Sequence, residues 1–351
     1  MNMKPNGAEP SISIIIPIYN VEEWLPGCLD NVLAQAEPNT EIICVNDGST
    51  DGSRAILEER KEQDSRIIII DKANGGQATA RNEGLKMATG KYIYFLDSDD
   101  FIKPNTLKTC IEIAERENLD LLLFDADTIY ENEELRTAFP SYETYYQRKA
   151  KYEGIMAGAE MFCRMVSNNE YRVHVSIQFV KRELLIENGI VFPEGMIFED
   201  NGYALHLMLL AKRVVHIGDR FFVRRIRGLS TMTASPSPYK ILSYYLVYRY
   251  MGELLAKPEL SSLLEDTEVN GCVKEVMDIR KKFAIDTYLN AKTTDIDEAK
   301  KRMSRDELMD FRRMIEASAN EIQKDCEKPQ RSRIKRLLSF LPPFRRQGNA
   351  D

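Results

Sequence analysis

Three carboxylates fall within four positions, Asp97-Ser98-Asp99-Asp100, directly after the apolar run Tyr92–Leu96. Crowded carboxylates resist ionising together unless a cation sits among them. Hard divalent ions take oxygen ligands, and Mn2+ or Mg2+ is commonly held by one or two carboxylates plus substrate phosphates. Asp97 and Asp99, with one residue between them, suit that chemistry. Capping of a helix that begins near Pro104 is the plainer use of an acid, but one cap takes one acid and this run has three.

Other residues could serve a phosphorylated ligand. Asn74-Gly75-Gly76 followed by Arg81 reads as a glycine-bearing loop that opens a helix, where backbone N–H groups and a guanidinium favour an anion. An ordinary helix start with a surface arginine explains the same residues. Tyr19 could stack on a nucleobase, and Asp47 could accept a hydrogen bond from it, although Asp47-Gly48 is also a plain turn. Glu199-Asp200 opens an apolar helix, so a carboxylate there is held ionised and can accept a proton, or merely cap the helix. Arg224, Arg225 and Arg227 precede Gly228-Leu229-Ser230-Thr231, a cationic stretch and hydroxyl turn able to close over a diphosphate, or an exposed charged loop. His174, His206 and His216 have no metal-ligand spacing, and two of them lie in apolar runs as structural histidines do.

These residues need elements to position them. Nearly continuous apolar runs at Ser11–Ile16, Thr40–Val45, Arg66–Ile70, Tyr92–Leu96 and Leu119–Phe124 read as strands covered on both faces. Helical patterns at Val21–Ala36, Ser53–Asp64, Gln77–Met87 and Pro104–Glu117 separate them. Strands alternating with helices predict an α/β fold with a doubly wound, mostly parallel sheet. Ligands of such sheets bind beyond the carboxyl ends of the strands, and Pro17–Asn20, Asn46–Ser49, Asp71–Gly76 and Asp97–Asp100 all occupy such ends. No GxGxxG follows the first strand and no GxxxxGK[ST] occurs, which disfavours dinucleotide oxidoreductases and P-loop enzymes.

From about Glu131 to Lys151 the chain is polar and tyrosine-rich, without a period, and reads as a loop or insertion. Helices are expected at Gly158–Ser167 and Arg182–Asn188, then an apolar helix to Ala211, and a helical pattern from Pro238 to about Lys324. The domain reading is a flexible start at 1–10 and a sheet domain at 11–235, in two halves that divide at 125/126. A helical region at 236–327 and a basic amphipathic tail at 328–351 follow. Residues 328–346 carry seven Lys/Arg and no acid. Ile334, Leu337, Leu338 and Leu341 share one helical face there, a pattern that suits either a membrane surface or a solvated tail.

The 351 residues are 43% hydrophobic and 29% charged, with a formal net charge of -7. That is the balance of a globular protein and the wrong sign for nucleic acid. Six scattered cysteines without a CxxC pair point to reduced thiols. No stretch approaches a membrane span and the first residues lack a secretory apolar core, so a cytoplasmic enzyme is expected.

The order of motifs is similar to that of the family 2 glycosyltransferases. Ser13-Ile14-Ile15-Ile16-Pro17-Ile18-Tyr19-Asn20, Val45-Asn46-Asp47-Gly48-Ser49-Thr50-Asp51, Asn74-Gly75-Gly76 through Ala80-Arg81-Asn82, and Gly90-Lys91-Tyr92 through Asp97-Ser98-Asp99-Asp100 carry the likeness over about residues 11 to 125. It continues in Asn188-Gly189-Ile190 through Phe192-Pro193-Glu194-Gly195 and Phe198-Glu199-Asp200, and faintly at Arg225–Ser230. The resemblance implies a GT-A fold and inverting, single-addition transfer from a nucleotide-diphosphate sugar, such as a UDP-sugar. The acceptor would be a hydroxyl of a saccharide or lipid-linked saccharide, in cell-surface polysaccharide or glycolipid synthesis at the inner face of the membrane. Pro17, Tyr19, Asn20, Asp47, Gly76, Arg81, Asp97 and Ser98 would hold the donor, and Arg225, Arg227 and Ser230 would close over it. Asp99 and Asp97 would hold Mn2+ or Mg2+, and Asp200 would be the general base, with Glu199 beside it as a substitute. Ser176-Ile177-Gln178-Phe179-Val180 replaces the Trp-x-Lys-Leu-Tyr segment often found in the family. With one tryptophan, Trp24, and no span, the chain lacks the marks of the processive synthases. A sugar-nucleotide-forming nucleotidyltransferase and a non-catalytic nucleotide-sugar-binding module are the alternatives.

Overall fold

The computed structural model describes residues 10–228, 230 and 237–325. Two compact units divide the chain, one of residues up to 234 together with 250–276, the other of 235–249 together with 277 onward. The helical region expected at 236–327 is therefore shared, because 250–276 belongs with the sheet. Residues 328–346 lie outside the described residues.

The first unit runs β1 (Ile12–Ile18), α1 (Leu25–Leu33), β2 (Thr40–Asn46), α2 (Ser53–Gln63), β3 (Ile67–Asp71), α3 (Gln77–Met87), β4 (Tyr92–Phe95) and β5 (Phe101–Ile102). It continues through α4 (Thr106–Arg116), β6 (Leu121–Tyr130), α5 (Glu133–Ala138), α6 (Gly158–Ser167), β7 (Gln178–Lys181), α7 (Arg182–Glu187), α8 (Asp200–Leu210) and β8 (Val214–Ile226). The strands form one eight-stranded sheet in the order β3-β2-β1-β4-β7-β6-β8-β5. The pairs β1–β2, β1–β4, β2–β3 and β6–β8 are parallel, whereas β5 and β7 run against their neighbours. The fold is the mixed α/β sheet with helical cover that the alternation predicts.

Every residue of β1 and β2 is buried, and β-branched side chains dominate both. Such residues fit a pleated surface, and each fully buried isoleucine contributes roughly 1.5–3 kcal/mol. Helix α1 adds Leu25, Cys28, Leu29 and Val32 to this core. Helix α3 lies unusually close to β1, since a Cβ on Gly84 would meet Ile15 Cγ2 at 2.4 Å. That approach carries Arg81, one turn earlier on α3, in among the strand ends.

Strand β8 is the largest departure from the expected elements. Its buried and accessible residues alternate around an exposed centre at Gly218–Arg220. Its pairing with β6 runs from Leu121↔Val214 to Tyr130↔Ile226, with register shifts near Asp125. Its pairing with the short β5 sets Phe101 opposite Val223 and Ile102 opposite Phe222. This places the start of the arginine run beside the acids that precede Phe101.

The tyrosine-rich segment 131–151 contains α5 and a 3-10 turn at Pro140–Tyr142. It is tied down by buried ionic contacts: Arg148 Nη1 donates to Asp125 Oδ1 at 2.8 Å, and His216 Nε2 lies 3.0 Å from the same oxygen. His216 is thus structural, and His206 is buried in α8. Segment 250–276 packs on the same unit, with Tyr250 against Gly202 and the Cys272 thiol 4.0 Å from the Cys163 carbonyl.

In the second unit Ile241, Leu242, Tyr245, Ile285, Tyr288, Phe311 and Ile315 form a separate core. The Tyr245 hydroxyl donates to Asp310 Oδ2 at 2.8 Å. Five cysteines are buried and unpaired, and Cys326 lies outside the described residues. No helix of the described residues is long and apolar enough to cross a membrane.

Candidate active site

Arg81 is the centre of the site. Its side chain is 3% exposed, and its two terminal nitrogens donate to Asp97 Oδ1 at 2.6 Å and Glu199 Oε1 at 2.5 Å. The guanidinium also lies 5.3 Å from the Phe192 ring centroid. Burial opposes its charge, but Asp97 and Glu199 outweigh burial and hold it more firmly protonated than usual. Burial likewise works against Asp97 ionising, yet Arg81 above all keeps its carboxyl below the ordinary range.

The remaining acids are strapped by the end of β8. Arg227 Nε donates to Asp99 Oδ2 at 2.5 Å, and Arg225 Nε donates to the Asp99 carbonyl at 3.1 Å. The Arg225 backbone N–H donates to Asp100 Oδ1 at 2.7 Å. The Arg225 guanidinium sits over Trp24 at 4.5 Å and Phe101 at 4.8 Å. The arginine run is therefore anchored on aromatic rings and carboxylates. Ser98 is buried, and Ser230 is partly exposed beyond the strand.

Asp100 is buried, and burial with the neighbouring Asp99 and Asp97 charges pushes its carboxyl well above the usual value. Ligand atoms of Asp97, Asp100 and His174 lie within 4.8 Å of one another. His174 Nδ1 accepts from the Ser176 N–H at 3.1 Å, which leaves the ring proton of a neutral imidazole on Nε2, 3.9 Å from Asp97 Oδ2. Burial holds this histidine neutral, its pKa lowered to about 3. The convergent donors are thus carboxylate oxygens, the set that a hard divalent cation takes and a soft one does not. The residues present fit Mn2+ or Mg2+. Asp99, expected among the ligands, meets Arg227 here and is not part of the converging group.

Glu199 and Asp200 stand at the start of α8, behind Phe198, whose φ of +66° is rare for a bulky residue. Glu199 is buried on Arg81, whereas Asp200 is partly accessible.

Just past the end of β2, Asp47 is buried and both its oxygens are engaged. It accepts from Gly75 N at 2.9 Å, from Gly76 N at 2.7 Å and from Lys72 Nζ at 2.5 Å. Gly76 opens α3 with φ +91°, a conformation glycine takes without strain. Asp47 therefore shapes the loop, a role beyond that expected of it. Pro17 lies in β1 opposite Val45, and Tyr19 just past it is 48% exposed. Asn20 is fixed against the next strand end, its Oδ1 accepting from the Thr50 N–H at 2.8 Å. Lys72, His174 and Trp24 were not expected at the site, and Arg224, expected with its neighbours to close over a diphosphate, is buried. Lys72 directly follows β3, so the strand-end rule could have found it.

The Glycosyl transferase family 2 profile matches residues 13–171. Glycosyltransferase GlyG of Streptococcus pneumoniae is 32% identical over 228 residues, covering 63% of this chain and 72% of that protein. The chain belongs to glycosyl transferase family 2. An uncharacterized glycosyltransferase of Bacillus subtilis, EpsJ, is 33% identical over 219 residues, 62% of this chain; the match spans 61% of EpsJ, less than two thirds of its length. Among solved structures, S. aureus TarS 1–349 in complex with UDP-GlcNAc superposes with a TM-score of 0.66 at 20% identity, covering 94% of this chain and 90% of that one. That likeness is one of fold. The profile match takes in the acid run and Arg81, and α8 starts beyond it.

Proposed function

We propose that this family 2 chain is an inverting glycosyltransferase. It moves one sugar from a nucleotide-diphosphate sugar, most naturally a UDP-sugar, to a hydroxyl of a saccharide or lipid-linked saccharide in cell-surface polysaccharide synthesis. The observation that carries the reading is the meeting of Asp97, Asp99 and Asp100 with Arg225, Arg227 and the Glu199-Asp200 helix start. These are charges of both signs gathered from β4, β8, α3 and α8 at one crevice. The UDP-GlcNAc bound by TarS supports a UDP-sugar as donor.

In this reading the donor base packs on the exposed Tyr19 ring, and Lys72 and Asp47 hold the loop that borders it. A divalent cation, held by the converging Asp97 and Asp100 and by Asp99 once Arg227 turns from it, would neutralise the diphosphate and so improve it as a leaving group. Arg227 exchanges Asp99 for the diphosphate, and Arg225 stays on Trp24 and Phe101. Asp200 takes the proton of the acceptor hydroxyl as that oxygen attacks the anomeric carbon, and the nucleoside diphosphate leaves from the opposite face. Glu199 stays on Arg81 and positions the start of α8. The basic segment 328–346 would bring the enzyme to the cytoplasmic face of a membrane.

Inversion has a direct readout. With water as acceptor and a donor whose sugar is α-linked, early 1H NMR spectra of the released sugar should show the β-anomeric proton, before mutarotation. An initial α signal would overturn the single-displacement mechanism.

A further inference from the structure

Next to His174, where Tyr146 also feels the Asp200 charge, aromatic rings and guanidinium groups alternate. Tyr142 and Tyr145 lie 6.1 Å apart, Tyr145 and Tyr146 4.8 Å, and Tyr146 and His174 5.3 Å between ring centroids. Arg224 sits over Tyr142 at 5.2 Å and Tyr146 at 5.4 Å, while Arg172 sits over Tyr145 at 4.7 Å.

The partners of these two arginines set them apart from Arg81 and Arg227. Arg224 is 9% exposed, and its one hydrogen bond among the described residues is Nη1 to the Tyr146 hydroxyl at 3.3 Å. Arg172 donates only to carbonyls, of Tyr145 at 2.7 Å, Asn169 at 2.8 Å and Tyr171 at 3.4 Å. Among the described residues neither has a carboxylate within ion-pair distance, whereas Arg81, Arg148, Arg220 and Arg227 each do. Asp100 and Asp97 balance the Arg224 charge only at longer range, so the guanidinium forks of both arginines make no direct carboxylate contact and can meet an anion. Tyr145 is 38% exposed, so this row of rings reaches the surface. Flat ring faces suit the C–H faces of sugars and polyols, and guanidinium forks suit phosphate and carboxylate.

We propose that Tyr142, Tyr145, Tyr146, Arg172 and Arg224 form the acceptor subsite, and that the acceptor is a saccharide or polyol chain bearing an anionic group near the hydroxyl that receives the sugar. The proposal rests on the glycosyltransferase reading and adds the chemical class of its acceptor. Arg224 meets the anion closest to Asp200, and Arg172 meets the next one outward.

The test compares three acceptors with the full chain and the donor it turns over: a polyol-phosphate oligomer, a uronic-acid oligosaccharide and a neutral oligosaccharide of similar length. An anionic acceptor should be used with the lowest KM, and which of the two wins identifies phosphate or carboxylate as the group read. Arg172→Ala should raise that KM about tenfold, the scale of a lost charge-assisted hydrogen bond, with Arg172→Lys recovering part of it. The KM for the neutral acceptor should not move in either variant, which separates charge recognition from a folding defect. Equal use of neutral and anionic acceptors, or an anionic KM unmoved by Arg172→Ala, would overturn the subsite while donor turnover still upholds the transferase reading. Absence of any donor turnover or binding would overturn both.

Discussion

Asp200→Asn is expected to lower transfer roughly 10³-fold, within the range that a positioned general base supplies. The amide keeps the shape and can still sit at the start of α8, but it cannot take the acceptor proton. Donor affinity, measured by calorimetry, should change little. Glu199→Gln is the informative comparison. Glu199 is 4% exposed and bound to Arg81, so its loss should weaken the protein and disturb the site without removing the base. A residual rate in Glu199→Gln well above that of Asp200→Asn identifies Asp200 as the base. The reverse order would exchange their roles.

The second large effect concerns stability. Arg81 bridges two acids further along the chain, the half-buried Asp97 16 residues on, just past β4, and the buried Glu199 118 residues on, at the start of α8. Arg81→Leu would strip both of their shared counter-ion, which costs about 3–5 kcal/mol for a broken buried pair. In a unit of this size that is a fall in Tm of roughly 10 °C or more, read by circular dichroism. Arg81→Lys should recover only part of it, because a single ammonium cannot reproduce the two-pronged contact. A variant as stable as the parent would mean that Asp97 and Glu199 find other partners.

What could be read from the residues follows physical lines. Strands β1, β2 and β4 were legible because both of their faces are covered, so each is a nearly unbroken apolar run, and the half-covered edge strand β3 is one too, with four isoleucines. Helix α3 was legible to the residue, and the ends of these strands carried the motifs. Strand β8 was not, because its accessible face and its Gly218-Asp219-Arg220 centre mimic a loop, and its arginines were compatible with a diphosphate-closing turn or an exposed loop, whereas Arg224 is buried in a strand. Strand β7 has only four residues and exists because it fits between β4 and β6. The segment from Glu131 to Lys151 lacks a period since what orders it is distant: Arg148 on Asp125, and the Lys149 N–H on Glu170 Oε1 at 2.7 Å. The acids and arginines of the site were each visible, but their partnerships were not. Nothing local in the sequence says that Arg81 meets Glu199 or that Arg227 meets Asp99.

The most direct test of glycosyl transfer needs no acceptor. The purified chain would be incubated with a panel of nucleotide sugars in Mn2+, Mg2+ or EDTA, and nucleoside diphosphate release followed. The account predicts slow release from one donor, abolished by EDTA and restored by added metal. No release from any donor, together with no thermal-shift response to any of them, would contradict it.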